Sequence, residues 1–152
     1  MASMMVLPEE VLSLLRAAAP RRNSIIVLLT VDQDQYPHSA LLSPYQVLAL
    51  SREKMAFHVH RGTRTAGNLS RTGKASLLLF LPPSAYTVKV DVLSVSAMES
   101  EEEDIYYCKV RDVRRDYSEL SPITSEPTFD PTRVSEDYSR RYLKMLTQVS
   151  LN

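Results

Sequence analysis

The sequence predicts a mainly β protein, an antiparallel barrel with helices at its beginning, middle and end. Two observations carry that expectation. Runs of β-branched or alternating residues recur along the chain and are joined by short polar or proline-containing turns, whereas helical spacing is confined to three segments. Short turns suit antiparallel neighbours; a parallel doubly wound sheet needs long crossovers. A chain of 152 residues can bury one continuous core, so one domain over residues 1–152 is expected.

Pro8 to Ala18 reads as the first helix, with proline at its first position and Glu9 and Glu10 in its first turn. Leu7, Val11, Leu14 and Leu15 share one face, and Pro20 stops it. Ser24 to Val31 is rich in β-branched residues and suits a strand buried on both faces. Asp32 to Gln35 is a polar turn. Pro37 to Ser43 and Gln46 to Ser51 read as short strands separated by Pro44. In Lys54 to His60, Met55, Phe57 and Val59 face one way, while Ala56, His58 and His60 face the other.

Thr63 to Thr72 has helix character, and Gly73 ends it. Lys74 to Leu81 returns to strand, Pro82 and Pro83 break the chain, and Ala85 to Met98 forms a long strand. Tyr86, Val88, Val90 and Val92 share one of its faces. The acidic run Glu99 to Asp104 reads as a solvated turn before a last strand, Ile105 to Tyr117, with one exposed face. Residues 118–130 are a Pro/Ser/Thr-rich loop. Asp130 and Pro131 suit the start of a C-terminal helix whose stripe runs through Val134, Tyr138, Tyr142, Met145, Leu146 and Val149.

Composition removes several classes of function. No apolar run approaches the roughly 20 residues that span a bilayer, and the uncharged opening lacks the start of a secretory signal. The single cysteine, Cys108, rules out an internal disulfide framework and a cysteine-rich zinc site. A cytoplasmic protein that binds neither membrane nor nucleic acid is therefore expected. Formal charge is zero, but basic residues outnumber acidic ones 10 to 6 up to Ala97, and acidic ones lead 12 to 8 beyond it. That asymmetry is too mild for a nucleic-acid stripe and fits a local site for a small anion.

Gly62, Gly67 and Gly73 are the only glycines, and they surround the run His60-Arg61-Gly62-Thr63-Arg64-Thr65-Ala66-Gly67-Asn68-Leu69, where a strand hands over to a helix. Free N–H groups at a helix start attract a phosphate. Gly62 permits a positive φ, Thr63 and Thr65 offer hydroxyls, Arg61 and Arg64 offer charge, and His60 adds a donor. The plainer reading stays open: Thr63 is only an N-cap and the arginines are solvated. The run matches neither a Walker loop nor a dinucleotide fingerprint. His58, His60 and His38 make a metal site conceivable, but no cysteine or carboxylate stands at ligand spacing, so none is expected. Cys108 reads as a packed thiol, and no nucleophile elbow is present.

Several motifs stand in a recognisable order. Thr30-Val31-Asp32 leads through a turn to Pro37, followed by His38-Ser39-Ala40-Leu41. Phe57 through Leu69 carries the arginine, threonine and Asn-Leu pattern, Gly73-Lys74-Ala75-Ser76-Leu77 follows, and Tyr86 and Lys89 lie on the next strand. In this order the chain resembles the pyridoxamine 5'-phosphate oxidase-related family, the FMN-binding split barrels, over roughly residues 7–117. The resemblance implies an antiparallel six- to seven-stranded Greek-key split barrel that forms a homodimer, with FMN in two symmetric grooves at the interface. It implies phosphate binding by Thr63, Arg64 and Thr65, with His58 and His60 lining the strand end and Arg61 and Asn68 in the same motif. Ser39 is expected near the ribityl chain or ring, and Tyr86 and Lys89 across the dimer. Two departures stand out: Thr65 replaces a common lysine, and Asp91-Val92 replaces a usual glycine. The basic C-terminal segment of the oxidases proper is missing, so their reaction is not assigned. The expected function is that of an FMN-dependent oxidoreductase acting on an unidentified small molecule. The alternative is a non-catalytic flavin, heme or deazaflavin binding protein.

Overall fold

The computed structural model describes residues 3–99, 101–130 and 136–151. In chain order it contains β1 (Ser3–Met4), α1 (Glu9–Leu15), β2 (Ile26–Val31), β3 (Pro37–Leu42), a 3₁₀ turn (Pro44–Gln46) and β4 (Val47–Ala49). Then follow β5 (Lys54–His60), α2 (Arg64–Thr72), β6 (Lys74–Leu81), β7 (Ser84–Ala97), β8 (Glu103–Asp116) and α3 (Glu136–Leu151). The main strands run β3-β2-β6-β7-β8-β5-β4 in one sheet, with β1 against β8. Every pairing is antiparallel. The sheet curls into a half-barrel, the antiparallel architecture that the residue pattern predicts and the split barrel that the resemblance implies.

Local chemistry explains the joints. The β2–β3 hairpin closes where Gln35 adopts a positive φ of 73° and the Asp32 N–H donates to Tyr36 O. Helix α2 carries the chain from β5, near one edge of the sheet, to β6 beside β2. Gly73, at φ 65°, ends α2 in the left-handed conformation that favours glycine. The long β7–β8 hairpin is irregular between Lys89 and Val90 and again between Val92 and Ser94, and such bulges bend a strand.

The main core gathers Val11 and Leu15 of α1 with Leu28, Phe57, Leu77 and Val88 of the strands. Burying a side chain of this size stabilises by roughly 1.5–3 kcal/mol. A second cluster lies on the other side of β5, where Leu48, Ala56, Met98 and Ile105 pack under Tyr142 and Met145 of α3. Strand β5 is therefore buried on both faces.

Three expectations need correction, and one element was not expected. Helix α1 stops at Leu15, short of Ala18, because the Arg21 guanidinium takes the carbonyls of Leu15, Arg16 and Ala19. Strand β2 alternates buried and half-buried residues and is not covered on both faces. Glu103 and Asp104 already belong to β8, and Glu103 is buried, so the acidic run is only partly a solvated turn. Strand β1 was not foreseen. Pro131 of the expected helix start, and Val134 of its stripe, lie at residues 131–135, outside the described residues. Among the described residues no helix is long and apolar enough to cross a membrane.

Candidate functional site

The strand-to-helix joint is built from short-range bonds. Strand β5 ends at His60, the Arg61 N–H reaches Glu102 O at 2.8 Å, and Gly62 turns the chain at φ 78°. Space does not require glycine at that position, since nothing lies within 4 Å of an added Cβ; the left-handed φ does. Thr63 then caps α2: its hydroxyl accepts the Ala66 N–H at 3.2 Å and donates to His60 O at 2.9 Å. The first N–H groups of a helix have no acceptor within the helix, and the dipole adds positive potential there. Arg64 stands at this end, 69% exposed and 3.7 Å from Asp32. Thr65 is buried beside it.

Arg64, Gly67, Asn68 and Arg71 share one face of α2 and, with Asp32 and Asp34, line a groove of about 430 Å³. Asn68 is buried and ties the helix to the end of β2. Its amide donates to Thr30 Oγ1 at 3.1 Å and to Asp32 Oδ1 at 2.8 Å, and its oxygen accepts from Arg71 at 3.1 Å. Arg71 also donates to Val31 O. It lines a second groove of about 510 Å³ on the outer face of the sheet, whose walls include Ser76 and Lys89. Ser39, Leu29, Ser76 and Lys89 form one row across β3, β2, β6 and β7 by register. Lys74 and Arg111, also of this groove, both pair with Asp91, at 3.0 and 3.1 Å.

A third group lies on the outer side of β5. Glu103, 3% exposed, bridges two imidazoles: its oxygens lie 2.7 Å from His58 Nδ1 and 2.9 Å from His60 Nδ1. His58 is 1% exposed and its Nε2 has no partner. His60 is 51% exposed, and its Nε2 lies 3.4 Å from Glu102. Burial works to raise the Glu103 pKa, but the hydrogen bonds and charge of His58, the bond to His60 and the charge of Arg141 outweigh it. The carboxyl is held below its ordinary value. Arg61 is committed to β8: it contacts Asp104 at 2.7 Å and donates to the carbonyls of Glu101 and Glu103.

The predicted site residues thus fall into separate places. Thr63, Arg64, Thr65 and Asn68 gather on α2; His58 and His60 gather on Glu103; Arg61 braces the turn between them. Ser39 and Lys89 share the outer row. Tyr86 points into the core, where its hydroxyl donates to Glu10. Burial, then that bond, pushes its pKa up to about 12. Within one chain Tyr86 faces neither groove. His38 lies opposite Thr30 on β3, apart from the β5 pair. Among the described residues no group of three His, Cys, Asp or Glu is placed to hold a metal ion. Cys108 is buried, and burial pushes its thiol up to about 12.

Sequence reasoning missed Arg71, Asp32 and Glu103. The spacing of Arg64, Gly67, Asn68 and Arg71 marks one helix face and is readable. Glu103 lies more than forty residues from its histidines, so nothing local betrays it.

The Bacillus subtilis (strain 168) uncharacterized protein YclD is 30% identical over 107 residues, covering 69% of this chain and 70% of YclD. No family model matches the chain. Among solved structures, a pyridoxamine 5'-phosphate oxidase-like protein of Lactobacillus delbrueckii aligns at TM-score 0.59 and 17% identity, over 73% of this chain and 95% of its own. An FMN-binding protein of Syntrophomonas wolfei aligns at 0.53 and 15%, over 64% and 79%. An F420 reductase aligns at 0.56 and 12%, over 71% and 98%. At these identities the likeness is one of fold.

Proposed function

The chain belongs to the family of the Bacillus subtilis protein YclD and has the split-barrel fold of pyridoxamine 5'-phosphate oxidase-related proteins; from that premise we propose that it is an FMN-binding oxidoreductase. It works as a homodimer in the cytoplasm, with the cofactor between copies, on a small molecule whose identity is open.

The observation that carries this reading is the joint between β5 and α2. A left-handed Gly62, a Thr63 cap and an exposed Arg64 present unpaired N–H groups and a guanidinium at one helix start. That donor set fits a phosphate monoester. Thr63 and Thr65 would hold it through backbone N–H groups, and Arg64 through its guanidinium. Asn68 keeps α2 in place by its bonds to Thr30 and Asp32. Lys89 and Ser76 of the outer groove, which meets the cradle groove at Arg71, supply the adjoining wall, and Ser39 stands in the same row by register. FMN, when bound, supplies hydride or electron transfer; the protein supplies binding, orientation and electrostatics.

The F420 reductase neighbour favours a second reading, a deazaflavin in the same grooves. One spectrum separates the two. The purified protein, mixed with FMN and desalted, is expected to keep the two visible bands of an oxidised flavin. Loss of all colour on desalting, with a deazaflavin retained instead, overturns the FMN assignment.

A further inference from the structure

The outer face of the sheet concentrates positive charge that strand pairing does not call for. By register Lys54 of β5, Lys109 of β8, Asp91 of β7 and Lys74 of β6 form one row across four strands. Lys54 and Lys109 stand directly opposite each other, and like charges so placed cost a sheet stability. The outer groove of about 510 Å³ takes in Lys74 and Asp91 of this row. Among the described residues its walls carry four cations, Arg71, Lys74, Lys89 and Arg111, against one carboxylate, Asp91. That excess stands on a chain whose formal charge is zero. A cleft lined by one sign of charge focuses its field on a ligand of the opposite sign.

The irregularity of the β7–β8 hairpin supplies one of the four cations. Lys89 lies opposite Asp112 and Val90 opposite Val110, so Arg111 has no partner on β7 and is the extra residue of a bulge. A bulge re-aims a side chain, and this one sets Arg111 in the groove wall. Arg111 Nε lies 3.1 Å from Asp91 Oδ2, and Lys74 Nζ lies 3.0 Å from Asp91 Oδ1. One half-buried carboxylate thus tethers two cations, and both Nη groups of Arg111 remain for an acceptor. The Lys89 ammonium has no partner among the described residues, and Asp112, opposite it, is not a wall of the groove. A guanidinium fork and an ammonium in one groove match a carboxylate.

We propose that this groove seats a small organic acid, its carboxylate between Lys89 and Arg111, and that the molecule on which the oxidoreductase acts is such an acid. The acid site stands on the geometry of the groove alone. The step from ligand to substrate rests on the flavin reading, through Arg71, which lines both this groove and the cradle groove.

Succinate is the probe, and succinamide its uncharged counterpart. Titrated into isotope-labelled protein, succinate is expected to shift the backbone amide resonances of Ser76, Lys89 and Arg111 with a dissociation constant on the order of 1 mM. Succinamide is expected to leave them in place. Arg111→Gln and Lys89→Gln, whose folding the remaining resonances verify, are each expected to weaken succinate by about tenfold or more. Arg16→Gln removes an equal charge at the end of α1 and is expected to change nothing. In the FMN-loaded protein, succinate is expected to perturb the visible flavin bands. The acid site is overturned by absent shifts at roughly 20 mM succinate, by an equal response to succinamide, or by equal weakening in Arg16→Gln. Inorganic phosphate binding there more tightly than succinate overturns the carboxylate class. Succinate binding that leaves the bands of bound FMN unmoved overturns the substrate assignment. Succinate binding by a protein that retains no FMN overturns the flavin reading, and the substrate assignment with it, while the acid site stands.

Discussion

The two faces of β5 do different work with the same seven residues. The inner face places Met55, Phe57 and Val59 in the main core, against strands and α1. The outer face places Ala56 beneath α3 and then His58 and His60 on one carboxylate. Both faces are buried from Met55 to Val59, but only one is apolar. An apolar face holds the fold and asks nothing of its neighbours beyond shape. A buried ionisable face is a weak source of net stability, because taking charge out of water costs several kcal/mol per ion before pairing repays it.

The sharpest way to break the inner face is Phe57→Ala. Phe57 is fully buried and stacks on Tyr106 with centroids 5.6 Å apart. Its loss is expected to cost about 4 kcal/mol in denaturant unfolding. A cost below about 1 kcal/mol would mean that the face is not close-packed.

The outer face is tested by Glu103→Ala, which strips both imidazoles of their acceptor and is expected to cost about 3 kcal/mol. The pH dependence has a definite sign. Hydrogen bonds and charge from its partners hold the Glu103 carboxyl below its ordinary value of 4.5 against the opposing effect of burial. Its stabilisation is therefore full above that value and is lost as pH falls through the lower folded value. Stability curves of wild type and variant are expected to run parallel near neutrality and converge in acid. A gap that stays constant down to full protonation would contradict the ionised bridge.

The contrast between the faces also explains what the sequence could reveal. Strand β5 and helix α2 lie within a residue of their expected bounds, because period-two alternation and glycine punctuation are local signals. That Met55, Phe57 and Val59 share one face followed from the same alternation; that this face is the core one comes from the structure. Thr63 does cap α2, as the plainer reading held, and the cap and the cradle are compatible uses of one residue. The role of Arg61 was not legible, since its partner Asp104 lies on another strand. Nor was that of Asn68, which answers to Thr30 and Asp32 across the hairpin. Tyr86 was seen to share a face with Val88 and Val90, yet that this face is the inner one depends on how β7 pairs within the sheet. Pairing partners tens of residues apart leave no trace in local periodicity.

The central claim is that the α2 start holds the phosphate of a flavin. Its most direct test compares dissociation constants for FMN and riboflavin, which differ only by that phosphate, in wild type and in Arg64→Ala. Wild type is expected to prefer FMN by at least about tenfold, worth about 1.4 kcal/mol. Arg64→Ala is expected to weaken FMN by about 2 kcal/mol while leaving riboflavin unchanged. Equal affinities for the two flavins in wild type, or FMN affinity untouched by Arg64→Ala, would contradict it.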